Sequence, residues 1–319
     1  MTPLQDTPPA LRAQGQALWT TVAVLAMAVP WLNPVTWGPN PEMVQRLLSV
    51  GCGAVLLVAW VGVGPRVSAR ALAHTLAWGW LLAALLSAGA GVLQYFGAEG
   101  LVPYPWINAS TPGQAYANLR QRNQFASLTS LGLVALLYLA AEAPHAAARQ
   151  ATLRRGCLVL AIAVLALGNA ASSSRTGVLQ WLGLVVLAWV WARHGRRSML
   201  GWSLLAAALY VLATWVLPLE LEAATGQVGK GALQRFQESS GCGSRTILWR
   251  NVLELITHKP WLGWGWDELK FAHFITPYQD ARFCELLDNA HNLPLHLAVE
   301  LGVPAALLLC GGALVAVLW

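Results

Sequence analysis

Apolar residues in this chain form long unbroken runs, with neither the alternation of a half-buried strand nor the narrow stripe of a water-facing helix. The runs lie at residues 17–31, 44–63, 72–96, 125–141, 157–171, 178–191, 200–217 and 293–319. Most approach the ~20 residues a helix needs to cross the hydrocarbon of a bilayer. The pattern therefore predicts an all-α fold: a polytopic membrane helix bundle of eight spans. Residues 1–16 read as a polar tail, 17–217 as helices one to seven, 218–292 as the one long polar segment, and 293–319 as helix eight. That last run is still apolar at Trp319, which predicts a chain cut inside or at the edge of a helix. Ala26-Met27-Ala28 resembles a signal-peptidase site. With Arg12 the only basic residue before the first run, and many helices after it, a retained first helix is expected.

Within the long polar segment, residues 244–258 carry a helical period. Ser244 suits an N-cap and Pro260 ends the run. Leu248, Trp249, Val252, Leu253, Leu255 and Ile256 share one face, while Arg250, Asn251, Glu254, Thr257 and His258 share the other. An amphipathic helix lying on the outer membrane surface is expected. Arg245 falls at the centre of the apolar face, aimed at protein or lipid.

Composition changes the picture in one respect. Only 11% of residues are charged and 56% are hydrophobic, too little charge to cover a water-soluble chain of 319 residues. The 17 Trp suit membrane–water boundaries. The net charge of +6 is distributed by loop. With the N-terminus inside, the inner loops hold nine Lys and Arg against two acids, and the outer segments hold eleven against twelve. The charge is thus a topology signal, and no nucleic-acid partner is expected. The same rule puts residues 218–292 outside.

Several outer residues could carry chemistry. Arg120, Arg122 and Asn123 stand just before the helix that starts near Phe125, suited to a phosphate or to sugar hydroxyls. Snorkelling to lipid headgroups is the plainer alternative. In Ser172-Ser173-Ser174-Arg175-Thr176-Gly177 the turn is so short that Arg175 sits near hydrocarbon, where a guanidinium is costly unless paired with an anion. Trp264, in Trp261-Leu262-Gly263-Trp264-Gly265-Trp266, suits an interfacial anchor or a sugar-stacking face. His291, in Asp288-Asn289-Ala290-His291-Asn292, has an ordinary pKa of about 6.5 and could take a proton from a hydroxyl. Asp288 would orient it if the stretch were helical, and Asn292 would support it. Cys242 and Cys284 both lie in the long segment, where a disulfide or two thiols fit equally well. No Cys/His spacing suggests a metal, and no cofactor is expected.

Three patches resemble the O-antigen ligase and polymerase superfamily of membrane glycosyltransferases. They are Ser174-Arg175-Thr176-Gly177; Arg245-Thr246-Ile247-Leu248-Trp249 leading to Gly263-Trp264-Gly265; and Asn289-Ala290-His291-Asn292 leading to Glu300-Leu301-Gly302. The residues before Phe125 look most like the pilin or protein O-oligosaccharyltransferase branch, which has Gln-Pro-Asn where this chain has Gln121-Arg122-Asn123. The resemblance implies a glycan donor on undecaprenyl diphosphate, used at the periplasmic face of the bacterial inner membrane. It implies inverting, metal-independent transfer, with Arg175 and Arg245 on the diphosphate and His291 catalytic. The acceptor would be a periplasmic protein; a lipid A core sugar or the next O-antigen repeat are the alternatives. A lipid-linked-glycan transporter is the rival from another class, but its ionisable groups would be expected nearer mid-membrane.

Overall fold

The computed structural model describes residues 9–33, 41–63, 68–103, 106–143, 147–193, 197–227 and 241–318. The expectations for residues 1–8, Arg66, Arg196, residues 228–240 and Trp319 lie outside these. Among the described residues the chain is all-helical. It is a multi-pass membrane protein, with seven helices long and apolar enough to cross a bilayer.

Two compact units divide the chain, Met1–Phe236 and Gln237–Trp319. The first holds α1 (Pro9–Leu32), α2 (Pro41–Val63), α3 (Ala69–Tyr95), α4 (Arg122–Glu142), α5 (Ala148–Ala171), α6 (Arg175–Ala192) and α7 (Arg197–Thr225). Helix α3 is its centre and packs on α1, α4 and α5. Small residues permit the approach: Gly132 meets Ala84, and Gly168 meets Ala88. This is how membrane helices gain contact without a hydrophobic drive between them. Large apolar side chains such as Leu57, Leu182 and Trp215 stay on the outside, where lipid replaces water. Two boundaries differ from the hydropathy reading. Helix α1 begins at Pro9, inside the expected tail, and α7 continues through Pro218 to Thr225.

The second unit holds α8 (Arg245–His258), α9 (Leu269–Ile275), α10 (Leu293–Leu301) and α11 (Val303–Leu318). The expected eighth helix is therefore two, broken at Gly302, whose φ is 90°. The cause is a non-local backbone contact. The loop after α8 crosses the break: Trp264 and Gly265 donate N–H bonds to the Val299 and Glu300 carbonyls, and Val303 donates to that of Pro260. A Cβ on Gly302 would strike the Trp261 carbonyl, and one on Gly263 the Glu300 carbonyl.

Helix α8 also departs from expectation. Its face of Leu248, Val252, Leu255 and Ile256 is covered by the unit's own core, with Phe283, Leu287, Ala290 and Val299, and not by a membrane surface. Asn251 lies on that buried face, not on the polar one. Its amide donates to the Ala281 carbonyl at 3.1 Å and accepts the buried Phe283 N–H at 2.8 Å, which would otherwise lack a partner.

Candidate active site residues in the two units

In the first unit, the segment between α3 and α4 is built around Gln94. Its amide donates to the Asn108 and Ala117 carbonyls at 2.8 Å each, and its oxygen accepts the Tyr116 N–H. Asn118 continues the frame, bonding Asn108, Trp106 and Leu32. This holds the run into α4 in a fixed path. At its end Arg120 is exposed with φ 57°, and Arg122 donates to Gln114 Oε1 at 2.6 Å. Arg122 is the first residue of α4, a position where proline is favoured because its N–H has no intrahelical partner. Arginine can replace proline there at little cost and adds a cation.

Asn123 then joins this segment to the turn between α5 and α6. Its Oδ1 accepts a 2.7 Å hydrogen bond from the Ser174 hydroxyl, which also caps α6 by accepting the Gly177 N–H. Beneath, Asn169 is fully buried and bonds the Ala126 carbonyl and Thr129 Oγ1, locking α5 to α4. Arg175 is exposed at the first turn of α6, where the helix N-terminus adds to its positive field. The structure thus brings Arg120, Arg122, Asn123 and Arg175 to one end of the first unit.

In the second unit, Ser244 caps α8 by accepting the Ile247 N–H. The disulfide between Cys242 and Cys284 fixes the entry to that cap. Arg245 follows, exposed, and makes no hydrogen bond or ion pair among the described residues. One turn on, Trp249 donates its indole N–H to the Ala290 carbonyl at 2.9 Å, tying the His291 loop to the helix that bears Arg245. The sequence placed Trp249 on the same helix face as Arg245, four residues on, but its bond to the Ala290 carbonyl was not legible there.

His291 is exposed and sits at φ 50°, a left-handed conformation uncommon for a residue with a Cβ. Its N–H is donated to Asn289 Oδ1 at 2.7 Å. The stretch is not helical, so Asp288 makes no hydrogen bond to His291; Asn289 holds the turn instead. Asn292 caps α10 by accepting the Leu295 N–H. Trp264 is a packing residue: its indole donates to the Leu255 carbonyl and Lys259 lies over its ring at 4.2 Å. The exposed indoles of that loop are Trp261 and Trp266. Glu300, read in the sequence only as part of a patch and given no role, is buried; its Oε1 accepts the Asp267 N–H at 3.1 Å and lies 3.6 Å from His296 Nε2. Inside the units, then, Asn123 joins Arg175's turn, and Arg245's helix joins His291's loop.

Residues 158–310 match the O-antigen ligase family, and residues 115–140 match a protein glycosylation ligase family. The chain is thus similar to the O-antigen ligase family over just under half of its length, and to a protein glycosylation ligase family over a short stretch ahead of that. Two curated relatives, both from Acinetobacter baylyi (strain ATCC 33305 / BD413 / ADP1), agree with it. The chain is 26% identical over 292 residues to a general O-oligosaccharyltransferase, covering 87% of this chain and 49% of the relative. It is 25% identical over 195 residues to a ComP-specific O-oligosaccharyltransferase, covering 60% of this chain and 33% of the relative. The chain therefore spans about half the length of the first and a third of the second. No solved structure matches it significantly.

Proposed function

We propose that the protein transfers an oligosaccharide from undecaprenyl diphosphate to a hydroxyl on a periplasmic protein, at the outer face of the bacterial inner membrane. Arg175 and Arg245 neutralise the diphosphate and the charge that grows on it as it leaves. His291 takes the proton of the acceptor hydroxyl, which attacks the anomeric carbon from the face opposite the leaving group. Transfer is inverting, and the guanidinium groups supply the charge neutralisation that a metal would otherwise give. Asn289, through its bond to the His291 N–H, takes the orienting part first expected of Asp288.

The observation that carries this reading is the Trp249–Ala290 bond, which ties an exposed imidazole to the helix bearing Arg245, exposed and without a hydrogen bond or ion pair among the described residues. The Cys242–Cys284 disulfide supports a periplasmic location for this unit, because such bonds persist in oxidising compartments. The names of both relatives favour a protein acceptor.

Transfer from an undecaprenyl-diphosphate-linked oligosaccharide to a purified periplasmic acceptor protein tests the reading. His291→Ala should lower kcat about 100-fold or more. Arg245→Ala should lower kcat/KM by a similar factor. Undiminished transfer in both variants removes the mechanism, and transfer to lipid A core in place of protein moves the chain to the ligase reading.

A further inference from the structure

The first unit carries a groove that the reaction just described leaves unused. It has a volume of about 480 Å³ and runs between the end of α1, the second turn of α2 and the first turns of α4. Pro30, Trp31 and Leu119 line it together with Gln45, Ser49, Asn123, Gln124 and Ser127. Five of these eight side chains are amides or hydroxyls, at the ends of helices otherwise built for hydrocarbon. The side chains of Gln45 and Gln124 make no hydrogen bond among the described residues, and Asn123 engages only its oxygen. Unused amides that both donate and accept, beside an indole, suit sugar hydroxyls and the apolar face of a sugar ring.

The position of the groove agrees. Asn123 lines it and is bonded to Ser174, the neighbour of Arg175. A ligand in the groove would therefore adjoin an anion held at Arg175. Helices α1 and α2 lie ahead of both family matches, as suits an element that sets which glycan is accepted.

We propose that this groove binds the saccharide of the lipid-linked donor, next to its diphosphate; the assignment of that donor rests on the function argued above. The test is a pair of titrations of the purified full-length protein. One ligand is an undecaprenyl-diphosphate-linked oligosaccharide, the other sugar-free undecaprenyl diphosphate. The double variant Gln45→Leu/Gln124→Leu should bind the glycolipid roughly tenfold more weakly, the loss of one or two hydrogen bonds. Its affinity for the sugar-free lipid should stay unchanged, which also shows that the variant is folded. Gln45→Asn/Gln124→Asn should recover part of the loss. An equal loss for both ligands overturns the proposal, because the groove would then hold the prenyl diphosphate. Unchanged binding of both ligands overturns it as well. The functional reading fails separately: a wild type that binds the glycolipid with the expected preference but transfers nothing to a protein hydroxyl refutes the transferase and leaves the groove assignment standing.

Discussion

His291 and His273 belong to the same unit and have opposite surroundings. His291 is exposed in a left-handed turn, open to a substrate. His273 is buried, with Nδ1 at 2.8 Å from the Tyr278 hydroxyl and Nε2 at 3.1 Å from the Phe283 carbonyl. Burial pushes its pKa below the ordinary histidine value; the Phe283 carbonyl opposes this, and Arg282 adds a smaller push downward. Burial likewise pushes the Tyr278 hydroxyl up to about 12. The folded protein thus keeps His273 neutral, whereas the unfolded chain protonates it near pH ~6.5. Below that pH the unfolded state binds more protons, so stability is lost as pH falls toward the folded pKa, at up to ~1.4 kcal/mol per pH unit. Thermal unfolding in detergent between pH 7 and 5 should therefore slope more steeply for wild type than for His273→Gln. Equal slopes would show that the ring does not titrate this way. The sequence separated the two histidines only in part. His291 stood out because its neighbours are polar, whereas His273 drew no notice, since its partners come from a segment whose path no local pattern predicts. Asn251 misled for a related reason. A helical wheel assigns an amide to water, but here it serves backbone groups at Ala281 and Phe283.

Among the elements, the paired helices α10 and α11 show where hydropathy stops informing. Residues 293–319 are apolar apart from His296 and Glu300, and hydropathy alone reads them as one run; Glu300, Gly302 and Pro304 are the local signals at the break. The break exists because residues 260–265 cross that run and need a backbone surface without a side chain. Gly302 supplies it, with φ 90° and ψ 159°, a conformation close to glycine-only. Gly302→Ala combines that strain with a Cβ driven against the Trp261 carbonyl. It should cost ~3 kcal/mol or more, seen as a marked drop in the melting temperature of the purified protein. Gly312→Ala, inside α11 with open space around its Cβ position, is the matched control. It should be neutral or stabilise by up to ~1 kcal/mol. Similar melting temperatures for the two variants would mean that the crossing does not hold α10 and α11 at their break. The patches that suggested the family thus divide by task. Arg175, Arg245 and His291 are exposed, while Gly263 and Gly302 keep two backbones in contact.

At the scale of the whole molecule, the set of spans was the most legible feature, because lipid-facing surface must be apolar whatever the interior does. Among the described residues, seven of the eight expected spans stand as helices long and apolar enough to cross a bilayer. Cysteine pairing was not legible, since two thiols in one polar segment say nothing of their distance. Cys242 and Cys284 are bonded across a separation of 42 residues. In the chain-entropy picture a loop of that size stabilises by about 4 kcal/mol, with native strain reducing it. The bond also ties location to fold, because it would not persist in a reducing cytosol. In membranes from bacteria expressing the protein, Cys242 and Cys284 should therefore resist maleimide until a reductant is added. Cys157, which is free and exposed, provides the contrast once the membrane is dissolved. Cys242→Ser should lower stability by ~2–4 kcal/mol and raise susceptibility to protease between Cys242 and Cys284, the loop the bond closes. If both residues label without reductant, the segment faces the cytosol, and a reaction on its Arg245 and His291 at the periplasmic face is excluded with it.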